Sequence, residues 1–473
     1  MILLLFAIFH FNIKNTEAEI FTNVNENELA KSGLYSFFAA YKSNELNFND
    51  FYLTNHQDEN YSILKNSITT KNDSLTTNKK DIKRFTRNKG EELKPNVIFI
   101  GLESMSASFL ERYGNTSNLT PAIDSLQKKS IAFTNMFATG TRTIRGLESI
   151  TLSIPPTPGR SIIKRANNEN LFTIGEVFKQ KGYSRTFIYG GDSHFDNMLS
   201  YFSNNGFDIV DRKKNFRIQK VLATERTLIQ DKEVTFENAW GACDGDLYKK
   251  LLKHADLKSK QEEPFFFLLM NSSNHHPYSF PKNVINSEEQ TRDNAVKYAD
   301  KTFNNFFKEA KTKPWFKNTV FVVVADHCAY SAGRTELNIK NHHIPAFIYN
   351  LKDTPNSEVD KLSSQIDIFP TLFGYLNWSY NSNFFGRDIT KVKPDQERAY
   401  IGNHRKVALL KKDILSVLET NKQHRFYLWN KTQNSLEKTP ENKEIIEETI
   451  SYYQSAFDLL KSNKLKVDKI SKK

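Results

Sequence analysis

Short apolar runs, rich in β-branched and aromatic residues, recur along the middle of the chain, and each ends in glycine or polar residues. Such runs are typical of strands that are buried on both faces of a parallel sheet. The clearest ones are "NVIFIG" (96–101), "RTFIYGG" (185–191), "PFFFLLMNSSNHH" (264–276), "NTVFVVVADHC" (318–328) and "IPAFIYN" (344–350). We expect these runs to form the strands of one sheet.

Helical patterns lie between the apolar runs. "SNLTPAIDSLQKKS" has a proline in a first-turn position, "TIGEVFKQKG" ends on a glycine that suits a C-cap, and "NAVKYADKTFNNFFKEAK" repeats apolar residues at helical spacing. Strands that alternate with helices predict an α/β fold with a doubly wound, mainly parallel sheet flanked by helices. Beyond residue 398 the pattern predicts a small C-terminal α+β subdomain that ends in a helix and a basic tail.

The N-terminal part, residues 1–93, differs in composition from the middle of the chain. The apolar run "MILLLFAIFHF" is shorter than the about twenty residues that span a bilayer, and no basic residue precedes it as in a signal peptide. We interpret residues 1–17 as the stub of a membrane anchor, with an atypical signal or a short buried element as alternatives. Residues 18–93 combine an amphipathic helix with a polar linker. The catalytic domain is expected over 94–398 and the C-terminal subdomain over 399–473.

Composition narrows the class of protein. The chain has 473 residues, 38% of them hydrophobic, which excludes a multi-span membrane protein as written. Its formal net charge of +12 favours anionic surroundings. Phospholipid head groups suit this charge better than nucleic acid, because the lysines are dispersed and no nucleic-acid-binding motif is present. The two cysteines, Cys243 and Cys328, form neither a disulfide framework nor a metal-ligand spacing.

Polar residues that directly follow the apolar runs are the candidates for a site, because ligands of α/β sheets bind beyond the carboxyl ends of the strands. Asp326 and His327 offer one oxygen and one nitrogen ligand at the end of "VVVADH", and Glu103 offers another oxygen after "NVIFIG". With a threonine oxygen, they would form a four-coordinate site that suits Mn²⁺ or Zn²⁺. The other strand-end residues are 192–194 and 274–276.

Thr143 lies between Arg142 and Arg145, where the helix "IRGLESITLS" is expected to begin. One interpretation is an ordinary N-cap hydroxyl. Another is a nucleophile, since a divalent cation would stabilise the threonine alkoxide and the helix N-terminus and the two arginines would bind an anion such as phosphate. The two interpretations are compatible.

Several blocks of the sequence resemble, in order, those of the alkaline phosphatase/sulfatase superfamily. Within that superfamily, the blocks resemble most specifically the phosphoglycerol transferases of the lipoteichoic acid synthase and periplasmic-glucan type. The resemblance extends from about Glu28 to about Leu410. The blocks are "NVIFIGLESMSASFLERYGN", "GTRTIRGLESITLSIPPTPGRSI", "IYGGDSHFDNM", "SSNHHPYSFP", "VVVADHCAYSAGRTEL" and "SQIDIFPTL".

This resemblance implies a Mn²⁺-dependent transferase, with Zn²⁺ or Mg²⁺ as alternative ions. The family's metal ligands match Glu103, Thr143, Asp326 and His327. The family's threonine takes a phosphoglycerol head group from an anionic phospholipid as a covalent intermediate and passes it to a glycan or glycolipid acceptor. Such an enzyme acts at the membrane surface, with its catalytic domain on the periplasmic or extracytoplasmic side.

The resemblance also implies substrate-binding positions. His275 matches the histidine of the family's S/T-N-H motif, and His343 matches a histidine common in relatives, although a structural role is equally consistent with the sequence. Lipoteichoic acid synthases grip glycerol phosphate with Trp-Asn-Arg, where this chain has Phe195 followed by aspartate and asparagine. With that arginine absent, Arg145 or a lysine takes its place, or the head group differs.

Other functions remain open at this point. A formylglycine sulfatase does not fit, because neither cysteine lies in the required motif. A phosphoethanolamine transferase would use the same threonine and metal, and a phosphodiesterase would use water as the acceptor. A non-catalytic remnant that retains the fold is the alternative outside the enzymes.

Overall fold

The computed structural model describes residues 20–21, 24–33, 36, 46–212, 222–330 and 337–467. Its helices are α1 (Val24–Ala30), α2 (Phe48–Phe51), α3 (Gln57–Ile68), α4 (Pro121–Gln127), α5 (Thr143–Leu152), α6 (Ile174–Gln180), α7 (Met198–Asn204), α8 (Asp244–Ser259), α9 (Arg292–Ala310), α10 (Ile368–Tyr375) and α11 (Lys443–Lys461). The stub predicted at 1–17 lies outside the described residues. Within the described residues, we find no helix with the length and apolar character that a membrane crossing requires.

The strands form one large sheet and several small ones. They are β1 (Asp73–Leu75), β2 (Arg84–Thr86), β3 (Asn96–Leu102), β4 (Ile131–Phe133), β5 (Met136–Phe137), β6 (Ser184–Tyr189), β7 (Asp208–Asp211), β8 (Arg226–Leu228), β9 (Glu237–Asn238), β10 (Gly241–Ala242), β11 (Phe265–Met270), β12 (Thr319–Ala325), β13 (Ala346–Tyr349), β14 (Ser357–Val359), β15 (Ser363–Ser364), β16 (Tyr380–Ser382), β17 (Ala399–Gly402), β18 (Val407–Lys411), β19 (Ile414–Glu419), β20 (Gln423–Asn430) and β21 (Ser435–Lys438).

The large sheet has the order β14-β4-β13-β12-β3-β11-β6-β7-β8. Every neighbouring pair from β12 to β8 is parallel, whereas β13 runs antiparallel to both β12 and β4. The apolar runs of the sequence are its central strands, and every residue of β3, β11 and β12 is buried. The predicted mainly parallel α/β sheet flanked by helices is therefore confirmed.

The register of the three central strands sets the position of the polar residues that follow them. Strand β3 lies between β12 and β11, with Leu102 opposite Ala325 and Gly101 opposite Met270. All three strands are parallel, so their carboxyl ends meet at one edge of the sheet. The residues that come next in the sequence consequently leave the sheet side by side.

The C-terminal subdomain is a five-stranded antiparallel sheet, β17 to β21, with helix α11 packed on β18 and β19. Helix α11 begins after Asn442, whose side chain accepts the backbone N–H of Ile445. This arrangement confirms the predicted α+β subdomain. A buried ion pair between Arg398 and Asp367 joins it to the main domain, with 2.5 Å and 2.9 Å between the nitrogen and oxygen atoms.

The segment before β3 is structured, where its polar composition predicted a linker. Helix α3 packs along α11, and β2 pairs with β1 and β16 in a small antiparallel sheet. Arg84 is buried and donates to the backbone carbonyls of Phe384 (2.5 Å) and Gly386 (2.8 Å). Three apolar side chains of the segment, Leu64, Ile68 and Ile82, are fully buried. These residues hold the segment against the main domain.

Candidate active site

Glu103 and Asp326 are the first residues after β3 and β12, and hydrogen bonds fix both strand ends. The Asp326 Oδ1 atom accepts the backbone N–H of Ser104 at 2.8 Å and that of His327 at 2.7 Å. The Asn271 side chain, just after β11, accepts the backbone N–H of Glu103 at 2.7 Å. The two carboxyl groups are thereby held in the same buried place at the edge of the sheet.

His327 directs one ring nitrogen at both carboxyl groups. Its Nε2 atom lies 3.6 Å from Glu103 Oε1 and 3.5 Å from Asp326 Oδ2. Its Nδ1 atom lies 2.8 Å from the Cys328 carbonyl oxygen. Because a carbonyl can only accept, Nδ1 carries the hydrogen and Nε2 presents a lone pair, which is the arrangement that orients a metal-binding histidine.

Thr143 brings a hydroxyl to the same cluster. Helix α5 begins at Thr143, as the sequence predicted, but the N-cap is Arg142 and no side-chain cap is formed. The Thr143 hydroxyl instead donates to Glu103 Oε2 at 3.1 Å. The interpretation of Thr143 as an N-cap is therefore wrong. Helix α5 comes this close because residue 146 is glycine: a Cβ atom there would stand 2.4 Å from the Asp326 carbonyl oxygen.

The charges of this cluster suit a cation. Burial, and then the neighbouring Asp326 carboxylate, raise the pKa of Glu103 well above its usual range. Asp326 Oδ2 is buried without a hydrogen-bond partner in the described part of the chain. Ligand atoms of Glu103, Asp326 and His327 all lie within 4.8 Å of one another. A four-coordinate ion with bonds of about 2.1 Å holds its ligands about 3.4 Å apart, so the residues present fit a divalent metal.

His275 lies in the loop after β11, close enough to the cluster to interact electrostatically with Asp326 and His327. Its ring is 3.8 Å from the ring of Trp240, whose indole N–H donates to the His276 carbonyl at 2.7 Å. Phe195 packs edge-on against Trp240 at 5.5 Å. Burial lowers the pKa of His275. Three side chains from separate loops thus line one border of the site.

Two other predicted substrate-binding residues are engaged elsewhere. The Arg145 guanidinium contacts Glu148 at 3.1 Å and donates to the carbonyl oxygens of Thr157, at 2.8 Å, and Gly159. The His343 Nε2 atom donates to the Thr134 carbonyl at 2.9 Å, and the ring stacks on Phe137 at 5.1 Å. A carbonyl accepts, so His343 Nε2 is the donor. These contacts favour structural roles, and substrate binding by either residue stays a prediction.

The residues that support the strand ends were not predicted from the sequence. Gln365 donates to the carbonyl oxygens of Ala325 and Asp326, both at 2.7 Å. Asp244, at the start of α8, accepts the Asn271 amide at 3.0 Å and the backbone N–H groups of 272 and 273 at 3.1 Å. Their motifs, "SQIDIFPTL" and "CDGD", were visible in the sequence, but nothing in them shows which strand they support.

Arg292 joins the two loops that carry the histidines. Its guanidinium donates to the Tyr278 hydroxyl at 2.5 Å and lies 4.5 Å from the centre of the Tyr330 ring. Tyr278 is three residues beyond His275, and Tyr330 is three residues beyond His327. The contact therefore couples the loop after β11 to the loop after β12.

The amino-acid sequence of the chain is similar to those of known proteins. A sequence profile of the Sulfatase family matches residues 95–378, more than half of the chain. Phosphoglycerol transferase I of Salmonella newport (strain SL254) is 22% identical over 361 residues, which cover 72% of this chain and 45% of that protein. The chain thus spans about half the length of the phosphoglycerol transferases that it matches.

Solved structures show the same architecture. A protein in the alkaline phosphatase superfamily from Vibrio parahaemolyticus is 30% identical and superimposes with a TM-score of 0.80, covering 89% of this chain and all of that one. The lipoteichoic acid synthase LtaP from Listeria monocytogenes shares the fold, with 17% identity, a TM-score of 0.61 and coverage of 85% and 98%. The profile match includes every strand of the large sheet. The chain belongs to the sulfatase family of the alkaline phosphatase superfamily.

Proposed function

We propose that this protein is a metal-dependent phosphotransferase that moves a phosphoglycerol head group from an anionic phospholipid to an acceptor hydroxyl on a glycan or glycolipid. One contact carries the proposal: the Thr143 hydroxyl donates to Glu103 within the buried cluster of Glu103, Asp326 and His327. The similarity to a phosphoglycerol transferase supports the choice of head group. The proposed place of action is the extracytoplasmic side of a cell membrane.

The reaction has two displacements at one phosphorus atom. In the first, Thr143 Oγ forms a bond to phosphorus, the bond from phosphorus to the diacylglycerol oxygen breaks, and a glycerophosphothreonine diester and diacylglycerol result. In the second, the acceptor hydroxyl attacks and the Thr143 oxygen leaves. The Thr143 proton is directed at Glu103 Oε2. The backbone N–H groups of Thr143 and Ile144 are proposed to bind the phosphoryl oxygens, because they begin helix α5.

Glu103, Thr143, Asp326 and His327 are the proposed ligands of Mn²⁺, with Zn²⁺ and Mg²⁺ as alternatives. The unpartnered Oδ2 of Asp326 and the lone pair on His327 Nε2 support this assignment. Such an ion, when bound, supplies positive charge that stabilises the threonine alkoxide and the phosphoryl oxygens.

His275 is proposed to move the proton of the leaving or attacking alcohol. The Nδ1 atom of His275 donates to the His276 carbonyl at 2.9 Å, which leaves Nε2 to exchange a proton with an alcohol oxygen. Phe195 borders the same side of the site through Trp240 and is proposed to contact the head group. Arg145 holds the loop 157–159, so we place it as a support of the substrate site rather than as a direct phosphate ligand.

The test is mass spectrometry of the protein after incubation with Mn²⁺ and detergent-dispersed phosphatidylglycerol. We expect a phosphoglycerol adduct on the peptide that contains Thr143. The Thr143→Ala variant should carry no adduct. Thr141→Ala is the matched control, because it removes a hydroxyl two residues away that lies outside the cluster.

The donor is tested by the same measurement. An adduct on another residue would contradict the nucleophile, and an adduct formed from phosphatidylethanolamine but not from phosphatidylglycerol would contradict the head group. Thr143→Ser keeps a hydroxyl at the same position and should restore part of the adduct.

A further inference from the structure

A loop at residues 157–165 lies against the first turn of α5 and is held by arginine side chains. Arg145 donates to its carbonyl oxygens at 157 and 159, and Arg165 donates to those at 158 (2.9 Å) and 160 (2.7 Å). The backbone N–H of Gly159 donates to the His404 carbonyl at 3.0 Å. The loop is thereby fixed between the nucleophile's helix and the β17–β18 turn.

Cations dominate the surface of this loop and its neighbours, which we name the cationic rim: Arg142, Arg145, Arg160, Lys164, Arg165 and Arg405. Two carboxylates are paired with members of the cationic rim, Glu148 with the largely buried Arg145 and Asp196 with Lys164. Burial lowers the pKa of His404, and the nearby charges of Arg145, Arg405 and Arg142 lower it further. Among the described residues, the exposed side chains of Arg142 and Arg160 have no ion-pair partner.

An exposed aromatic residue is fixed at the edge of the cationic rim. The side chain of Phe195 is 47% exposed. The next two residues, Asp196 and Asn197, both adopt the left-handed conformation, with φ of 52° and 64°. The Asp196–Lys164 ion pair and the bond from the Asn197 amide to the Ile163 carbonyl, at 2.7 Å, hold this turn on the loop. Asp and Asn adopt this conformation more readily than other residues with a Cβ atom, so the sequence suits a tight turn that presents Phe195.

We propose that the cationic rim and Phe195 together dock on a bilayer surface that contains anionic phospholipid. Each exposed cation beside such a surface strengthens binding about fivefold, and aromatic side chains favour the boundary between head groups and acyl chains. Arg142 directly precedes Thr143, so docking by this face brings the nucleophile to the head groups. That docking serves the reaction of Thr143 rests on the proposed function, whereas docking itself requires no turnover and can be measured separately.

Vesicle flotation of the full chain tests the docking, with the Thr143→Ala variant as the parent so that no turnover occurs. Vesicles of phosphatidylglycerol and phosphatidylcholine are compared with vesicles of phosphatidylcholine alone. We expect at least tenfold tighter binding to the anionic vesicles. Arg160→Glu should weaken that binding at least fivefold, and Phe195→Ser should weaken it by a similar factor.

Lys317→Glu is the matched control, because Lys317 is exposed just before β12, at the opposite edge of the sheet. It makes the same change in net charge and should leave vesicle binding unchanged. Equal losses in Lys317→Glu and Arg160→Glu would overturn the proposal. So would equal binding of the parent to both kinds of vesicle, or competition by an equimolar DNA duplex.

Hydrogen–deuterium exchange gives a local measurement in the same samples. Anionic vesicles should protect residues 157–165 and 195–197, whereas phosphatidylcholine vesicles should not. Protection confined to other segments would contradict the assignment of this face. If anionic vesicles gave no such protection while detergent-dispersed phosphatidylglycerol still formed an adduct on Thr143, the docking proposal would be wrong and the proposed transferase function would stand.

Discussion

At the scale of single residues, the two carboxylate oxygens of Asp326 have different surroundings and different roles. Its Oδ1 atom fixes two backbone N–H groups, while its Oδ2 atom is buried without a partner beside the Glu103 carboxyl. Asp326→Asn retains the first function and removes a buried negative charge. Without metal, we therefore expect the variant to unfold at a temperature equal to or above that of the parent protein.

The same substitution should remove stabilisation by metal. For the parent protein, Mn²⁺ at a hundredfold excess over its Kd adds about 2.7 kcal/mol to the free energy of unfolding. Thermal melting with and without Mn²⁺ should show this shift, and Asp326→Asn should show little of it. Asp395→Asn, at an exposed carboxylate, should retain the full shift. A metal-dependent shift that survives in Asp326→Asn would contradict the ligand assignment.

The sequence predicts the role of a residue in the site only when the pattern along the chain also locates the groups that it contacts. Glu103, Asp326 and His327 follow apolar runs, and the geometry of parallel strands brings them together without further information. The role of Arg145 could not be predicted in this way. Its acceptors are carbonyl oxygens of an irregular loop, which no pattern of side chains reveals.

At the scale of elements, the position of helix α5 relative to β12 decides whether Thr143 reaches the cluster. Gly146 allows the close approach, because any Cβ atom there would stand 2.4 Å from the Asp326 carbonyl oxygen. Gly146→Ala should force the helix away and reduce the rate of adduct formation on Thr143 at least tenfold. The cost to stability should be about 1–3 kcal/mol, the range typical of overpacking.

The matched control for that substitution is Gly245→Ala in helix α8. A Cβ atom there would come no closer than 3.4 Å to its neighbours, which is an ordinary contact. Since alanine favours helices over glycine by about 1 kcal/mol, this variant should be as stable as the parent or more so. If Gly146→Ala and Gly245→Ala formed the adduct at equal rates, the close approach of α5 to β12 would not be the reason why residue 146 is glycine.

The packing of α4 on α9 predicts a dependence of stability on pH. Asp300 accepts the backbone N–H groups of Ala122 and Ile123, while burial and the neighbouring Asp124 raise its pKa to about 6. Since the unfolded value is about 3.9, the folded state binds this proton more tightly. The contribution of Asp300 to stability therefore falls as the pH rises from about 4 through 6.

Asp300→Asn removes this titration. The stability of the variant relative to the parent should be about 1 kcal/mol higher at pH 7 than at pH 5. Urea unfolding of both proteins at the two pH values measures the difference. A difference that does not change with pH would mean that Asp300 titrates at its ordinary value.

The elements themselves were predictable to different degrees. Long amphipathic helices such as α9 and α11, and the strands buried on both faces, follow directly from hydrophobic spacing. The segment around β2 was not predictable as structure, because its buried residues stand singly among polar ones. Arg84 is buried through bonds to carbonyl oxygens at 384 and 386, about three hundred positions further along the chain.

At the scale of the whole molecule, the C-terminal subdomain supports the site from a distance. Arg398 lies immediately before β17 and makes a two-bond contact with Asp367. Asp367 belongs to the same short turn as Gln365, whose amide holds the carbonyl oxygens of Ala325 and Asp326. Hydrogen bonds and one short turn thus connect the antiparallel sheet to the strand end that carries Asp326.

Arg398→Met tests this connection. The substitution leaves the Asp367 carboxylate buried with only the backbone N–H groups of Ser364 and Arg387. Loss of one partner of a buried pair typically costs about 3–5 kcal/mol, so we expect a lower melting temperature together with weaker stabilisation by Mn²⁺. Adding Asp367→Asn should recover part of both losses, because it removes the uncompensated charge. Arg425→Met, at a pair whose arginine is 50% exposed, should cost less than about 1 kcal/mol. If Arg398→Met lowered stability but left the Mn²⁺ shift intact, the subdomain would stabilise the fold without supporting the site.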